Sequence, residues 1–282
     1  MRPPGPDAIS AGSAERPSAA ANPGSALLRY VGKVLAVADM EVRKLRHDPM
    51  ELLTRAIQPT LWLLVFGEVF AHVRAIPTGN LGYIDFLAPG ILAQSVLFVS
   101  IFYGISVIWE RDLGILHKFL VSPTPRTALV LGKALSAGVR ALSQAVIIYL
   151  LALVLGVGMD WHPAALGGVV LLVMLGAALF STFSLIIACI VKTRERFMGI
   201  GQVLTMPLFF ASNAIYPIDI MPEWLKAIAH VNPLTYEVDG LRALMLAGGQ
   251  TSFGFGTDIG VLLGVLAGLV TIAGWMYPRI VV

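Results

Sequence analysis

Six long apolar stretches, residues 57–73, 86–109, 141–157, 165–191, 197–216 and 259–277, constrain this chain more than any motif in it. A helix needs about 20 apolar residues to cross the hydrocarbon core of a bilayer. Each stretch meets or approaches that length, with the first and third near the lower limit. Composition agrees. Hydrophobic residues make up 57% of the chain and charged residues 13%, against about 25% charged in soluble domains, whose surface must be wetted. Mean hydropathy is +0.80. The predicted fold class is an all-α integral membrane protein with six transmembrane helices.

The basic residues orient it. With the N-terminus inside, 17 of the 20 Lys and Arg fall on the cytoplasmic side, and only Arg74, Lys226 and Arg242 fall outside. A wrong span count would scramble that alternation, so N-in, C-in topology is predicted. The net charge of +3 is then a property of cytoplasmic loops, and no nucleic-acid partner is implied. Residues 1–25, rich in Pro, Ala, Gly and Ser and without an apolar run, read as a disordered cytoplasmic tail before a six-span domain over 26–282. A single cysteine, Cys189, excludes an internal disulfide.

Three segments outside the apolar runs have structure of their own. Before the first run, Val31, Val34, Leu35, Ala38, Val42 and Leu45 share one stripe of a helical wheel, with Arg29, Lys33, Arg43, Lys44 and Arg46 elsewhere. This predicts a helix lying in the cytoplasmic headgroup layer, or one packed on the soluble part of another subunit. After the second run, Glu110 and Asp112 precede Leu113, Leu116 and Leu120, with Arg111, Gly114 and Phe119 among them and Pro123 and Pro125 beyond. Acids suit a helix N-terminus and prolines end a helix. A short amphipathic helix over 110–121 is predicted, either docking into a partner's groove or lying as an ordinary interfacial helix. After the fifth run, residues 217–246 are too apolar for a free loop and too interrupted to span. Two proline-delimited helices fit, near 223–230 and 235–246. They form either an external gate around Tyr216, Pro217, Asn232, Pro233 and Tyr236, or a rigid cap.

Chemistry-bearing constellations are missing. Gly132-Lys133 is the nearest fragment of a phosphate loop, but Thr127 stands where its first glycine belongs and Ala134 where Ser or Thr belongs. The five histidines have no ligand spacing, and no catalytic or metal site is predicted. Glu68 is the only acid well inside a run, and an ionisable group at depth marks a pathway by default. Near the end of its run it can equally reach water or pair with His72. Neutral polar groups at depth are Gln94, Gln144, Gln202 and Asn213. With Glu68 and the aromatics Phe98, Phe102, Tyr103, Phe209 and Phe210, they supply candidates for a cargo path.

The block Glu110-Arg-Asp-Leu-Gly-Ile-Leu-His-Lys-Phe-Leu-Val-Ser-Pro-Thr-Pro-Arg126, followed by Leu131-Gly-Lys-Ala-Leu135, and the later block Asn232-Pro-Leu-Thr-Tyr-Glu-Val-Asp-Gly-Leu-Arg242 resemble, in that order, the membrane-spanning permease of type-2 ABC exporters. His117 departs from the acid many members carry there. The resemblance implies half of a transporter: a homodimer of permeases in the cell inner membrane, with two cytoplasmic ATPase subunits. Those subunits would bind ATP and Mg; no cofactor would bind this chain. Residues 110–121 would be the coupling helix, and the N-terminal amphipathic helix would complete that contact. The subgroup it looks closest to, drug-resistance (daunorubicin-type) and nodulation-factor permeases, implies amphipathic cargo: a drug, a lipid or a lipid-linked glycan. The competing readings are a membrane scaffold without transport and a membrane-embedded enzyme, which would show paired titratable groups around one cavity.

Overall fold

The computed structural model describes residues 49–73, 76–79, 81–113, 126–191 and 193–276, with Gly32, Asp39 and Arg43 as single positions before them. Of the N-terminal amphipathic segment, Leu35, Val42, Lys44 and Leu45 lie outside the described residues. Asp39 and Arg43 are helical and form an exposed pair of 2.8 Å at i,i+4 spacing.

Among the described residues the fold is helical. The first run is one continuous helix in three parts: α1 (Pro49–Leu61), a π-helical turn (Trp62–Phe66) and α2 (Gly67–Val73). Pro59 lies inside α1, where it lacks the amide donor its turn needs. The wider π turn begins three residues later. α3 (Tyr83–Asp112), α4 (Arg126–Val154), α5 (Pro163–Ile190), α6 (Arg194–Phe210), α7 (Glu223–Val231), α8 (Pro233–Met245) and α9 (Phe255–Met276) follow. α3, residues Val130–Val154 of α4, α5 and α9 are long and apolar enough to cross a membrane.

Helix lengths revise two expected ends. α3 has 30 residues, a rise of about 45 Å against a hydrocarbon core of about 30 Å. It is therefore longer than the core is thick. Glu110, Arg111 and Asp112 close this helix and do not open a new one; Gly114, Leu116 and Leu120 lie outside the described residues. α6 stops at Phe210 after 17 residues, short of the expected end at 216, and residues 211–216 turn. Pro207 sits in its last turn.

α5 is the central helix, packing on α3, α4, α8 and α9. Apolar helices gain little from leaving lipid for one another, so close approach through small residues must hold them. Gly104 of α3 faces Ser184 of α5 and the Phe197 ring with no room for a Cβ, and Ser184 Oγ donates to the carbonyl of Ile101. The apolar side chains left exposed, such as Val154, Val203, Leu263 and Trp275, suit a lipid-facing surface.

Two ends emerge. At one, Asp85 at the start of α3 accepts from Gly158 N (3.1 Å), and an isolated bridge pairs Met159 with Leu246. At the other, the C-termini of α3 and α5 meet the N-termini of α4 and α6.

Candidate functional site

Helices α1, α3, α4 and α6 line a half-open cavity of about 410 Å³ at mid-bundle. From α3 come Gln94, Phe98 and Phe102, one face at i, i+4 and i+8, and the two rings lie 6.0 Å apart. Gln58, Gln144 and Gln202 enter from α1, α4 and α6. Gln94 is buried, and neither its Oε1 nor its Nε2 has a partner. Other cargo-path candidates lie elsewhere. Glu68 is exposed near the end of the first run, 3.8 Å from His72. Tyr103 is buried between the cations Lys133 and Arg140, at 6.0 and 5.5 Å from its ring centre. Phe209 and Phe210 pack on Trp62. Asn213 lines a second cavity of about 520 Å³ at the Asp85 end of the bundle, with Pro217 and Arg242.

Charge is concentrated where α3 ends. Lys133 Nζ donates to Glu110 Oε2 at 2.6 Å, with both side chains almost fully buried. Arg194 pairs with Asp112 at 3.0 Å and stacks 3.6 Å over the Trp109 ring. Arg111 reaches the carbonyl of Val191 at 3.4 Å. These contacts fix the ends of α3, α4, α5 and α6 to one another on both sides of segment 114–125.

Helices α7 and α8 solve a backbone problem created by the early end of α6. Irregular backbone at membrane depth needs internal partners for its carbonyls. Asn232 Nδ2 donates to the carbonyls of Leu208 (2.7 Å) and Ala211 (3.0 Å), while its Oδ1 caps α8 by accepting from Leu234 N at 3.0 Å. Pro233 follows at the first helical position, where its missing amide donor is harmless. Tyr216 Oη donates to Phe210 O at 2.5 Å, and burial raises its phenol. Arg242 donates to Asn213 O at 2.8 Å and stacks 3.8 Å over Phe86. Tyr236 Oη closes the α7–α8 corner on His230 O at 2.7 Å. The two helices expected between the last runs are therefore present as α7 and α8, and of the residues expected at a gate, Tyr216 and Asn232 bind the break in α6.

α8, which is not among the helices long and apolar enough to span, also carries buried charges that lie outside the apolar runs. Glu237, Asp239 and Arg242 are buried, as is Asp258 at the start of α9. Asp239 Oδ2 accepts from Ser252 N (2.7 Å) and Phe253 N (3.1 Å). Glu237 has no partner for either carboxylate oxygen and packs over Gly176, where a Cβ would collide with it. Burial pushes the Glu237 carboxyl well above its ordinary range. Burial also lowers the Arg242 guanidinium to about 10, with Asp239 opposing that shift, so Arg242 stays charged at neutral pH. Among the described residues, no group of three or more His, Cys, Asp or Glu is placed to hold a metal ion.

Residues 33–246, which take in the locked end, the cavity and the α6–α8 clamp, match the ABC-2 type transporter family. The chain belongs to that family. As a type-2 ABC permease it is a transport subunit, multi-pass and membrane-embedded. It is 31% identical over 204 residues to the transport permease ycf38 of Cyanophora paradoxa, covering 71% of this chain and 70% of the relative. It is 28% identical over 228 residues to the daunorubicin resistance ABC transporter permease protein DrrB1 of Streptomyces coeruleorubidus, covering 80% and 78%. With the inner membrane transport permease YadH of Escherichia coli K12 it shares 24% over 197 residues, covering 68% and 73%. The permease's matched region contains both sequence blocks that carried the resemblance.

Proposed function

We propose that this permease is half of the membrane channel of an ATP-driven exporter that moves an amphipathic drug, lipid or lipid-linked glycan outward across the cell inner membrane. It spans six times with both termini in the cytoplasm: the run 49–73 and the shortened α6 join the four longer helices as spans. Two copies assemble with two separate ATPase subunits, which bind ATP and Mg and supply the power stroke. The names of DrrB1 and YadH support the drug-resistance cargo and the membrane. Cargo crosses beside the mid-bundle cavity, and α7 and α8 gate its exit.

The observation that carries this reading is the family match, joined to a bundle end where Arg111, Lys133 and Arg194 tie four helices together. A push on segment 114–125 passes there directly into α3 and α4. Most of the bundle's basic residues lie at that end, as expected for the cytoplasmic side. The test is co-expression with the cognate ATPase. A Leu116→Asp, Leu120→Asp double variant, which leaves the buried Glu110–Lys133 pair intact, is expected to lose complex assembly or cargo-stimulated hydrolysis. Normal assembly together with normal stimulation in that variant overturns the coupling assignment.

A further inference from the structure

The chain contains five glutamines, and four of them, Gln58, Gln94, Gln144 and Gln202, line the same cavity. Each comes from a different helix. Gln94 and Gln144 are buried, while Gln58 and Gln202 are exposed at the cavity's open side, and a polar side chain is costly in an apolar setting. Thr54 and Ser95 add hydroxyls, Phe98 and Phe102 cover the apolar side, and no ionisable side chain lines the cavity among the described residues.

Gln94 makes the cavity more than a packing gap. It is 2% exposed, and both ends of its amide are without partners. A buried amide left unsatisfied is costly, and nearly all such groups in native structures find a partner. A volume of about 410 Å³ is that of a small-molecule site, in which a few placed polar groups on an apolar wall fix orientation. An amide donates and accepts alike. It therefore matches hydroxyl and amide groups but cannot neutralise an ion, and an ion desolvated without a counter-charge is heavily penalised.

We propose that this cavity is the cargo's head-group subsite and that it selects an uncharged, hydroxyl- or amide-bearing head, read by Gln94, over a cationic one. The inference rests on the export reading and narrows it: the apolar part of the cargo remains in lipid or against Phe98 and Phe102, while its neutral polar head enters the ring of amides. Gln94 is a specificity residue, since it touches cargo.

The test uses the full-length permease assembled with its ATPase in lipid nanodiscs, without ATP. Two fluorescent probes share one chain length: a short-chain glucosyl lipid and a quaternary-ammonium lipid. The glucosyl lipid is expected to bind at least about tenfold more tightly, a difference the size of one or two buried hydrogen bonds. Gln94→Leu, close in volume, should remove that preference, and Gln94→Glu should reverse it. Thermal midpoints near wild type show that the variants are folded. Equal binding of both probes by the wild type, a preference for the ammonium lipid, or an unchanged preference in Gln94→Leu and Gln94→Glu overturns the proposal. Such failures leave the export reading standing, because that reading is decided by a separate readout, ATP-dependent outward movement of an amphipath.

Discussion

Removing either partner of the Glu110–Lys133 pair should destabilise the bundle far more than removing an ordinary surface ion pair. The two groups are 2.6 Å apart, with side chains 8% and 9% exposed, so neither can turn to water when the other is lost. Glu110→Met leaves a buried ammonium, and Lys133→Met leaves a buried carboxylate whose second oxygen, Oε1, already lacks a partner. Breaking a buried pair from one side costs about 3–5 kcal/mol, whereas replacing both partners with apolar groups is often neutral. An exposed pair would contribute only about 0.2–1 kcal/mol. Thermal unfolding in nanodiscs should show each single variant melting roughly 6–20 °C lower. The double variant should recover most of that loss. Single losses below about 1 kcal/mol, or a double variant equal to the sum of the singles, would refute the claim that this pair is a buried clamp.

Other variants probe the α6–α8 clamp. Asn232→Ala removes the α8 cap and orphans the carbonyls of Leu208 and Ala211, and should cost about 2–4 kcal/mol in unfolding measurements; a loss below about 0.5 kcal/mol would contradict the role given to it. Gly176→Ala should destabilise by roughly 1–3 kcal/mol through collision with Glu237, and Glu237→Ala in the same chain should restore much of it. Because burial raises the Glu237 carboxyl above its ordinary value of 4.5, this group stabilises the fold fully below that pH, and its contribution is lost as pH rises toward the folded-state value. Glu237→Gln should thus gain stability over wild type progressively above about pH 4.5, read as a midpoint difference that widens with pH; a constant difference would contradict the assignment.

Most of the bundle was legible because its signals are local. Apolar runs locate the helices, proline and asparagine mark α7 and α8, and the i, i+4 spacing of Gln94, Phe98 and Phe102 places them on one face. What escaped depends on partners distant in sequence. Glu110 and Asp112 looked like the start of a helix because acids favour that end; only the length of α3 and the reach of Lys133 and Arg194 show that they finish one. Glu237, Asp239 and Arg242 lay in a segment read as external, and their burial follows from α8 packing on α5 and α3. The clue was available: a stretch too apolar for a loop must bury whatever charges it carries. Gln58 went unnoticed because nothing near it in sequence reveals three other amides across the bundle.

On the proposed function, this permease turns ATP hydrolysis by a separate subunit into outward movement of an amphipath. The most direct measurement of that movement is transport in inside-out vesicles containing the permease and its ATPase, loaded from outside with a fluorescent amphipath. Accumulation in the lumen is expected to require ATP, Mg and both subunits, and to collapse when the ATPase cannot hydrolyse. Equal uptake without ATP or without the ATPase, or ATP-driven movement in the opposite direction, would contradict it.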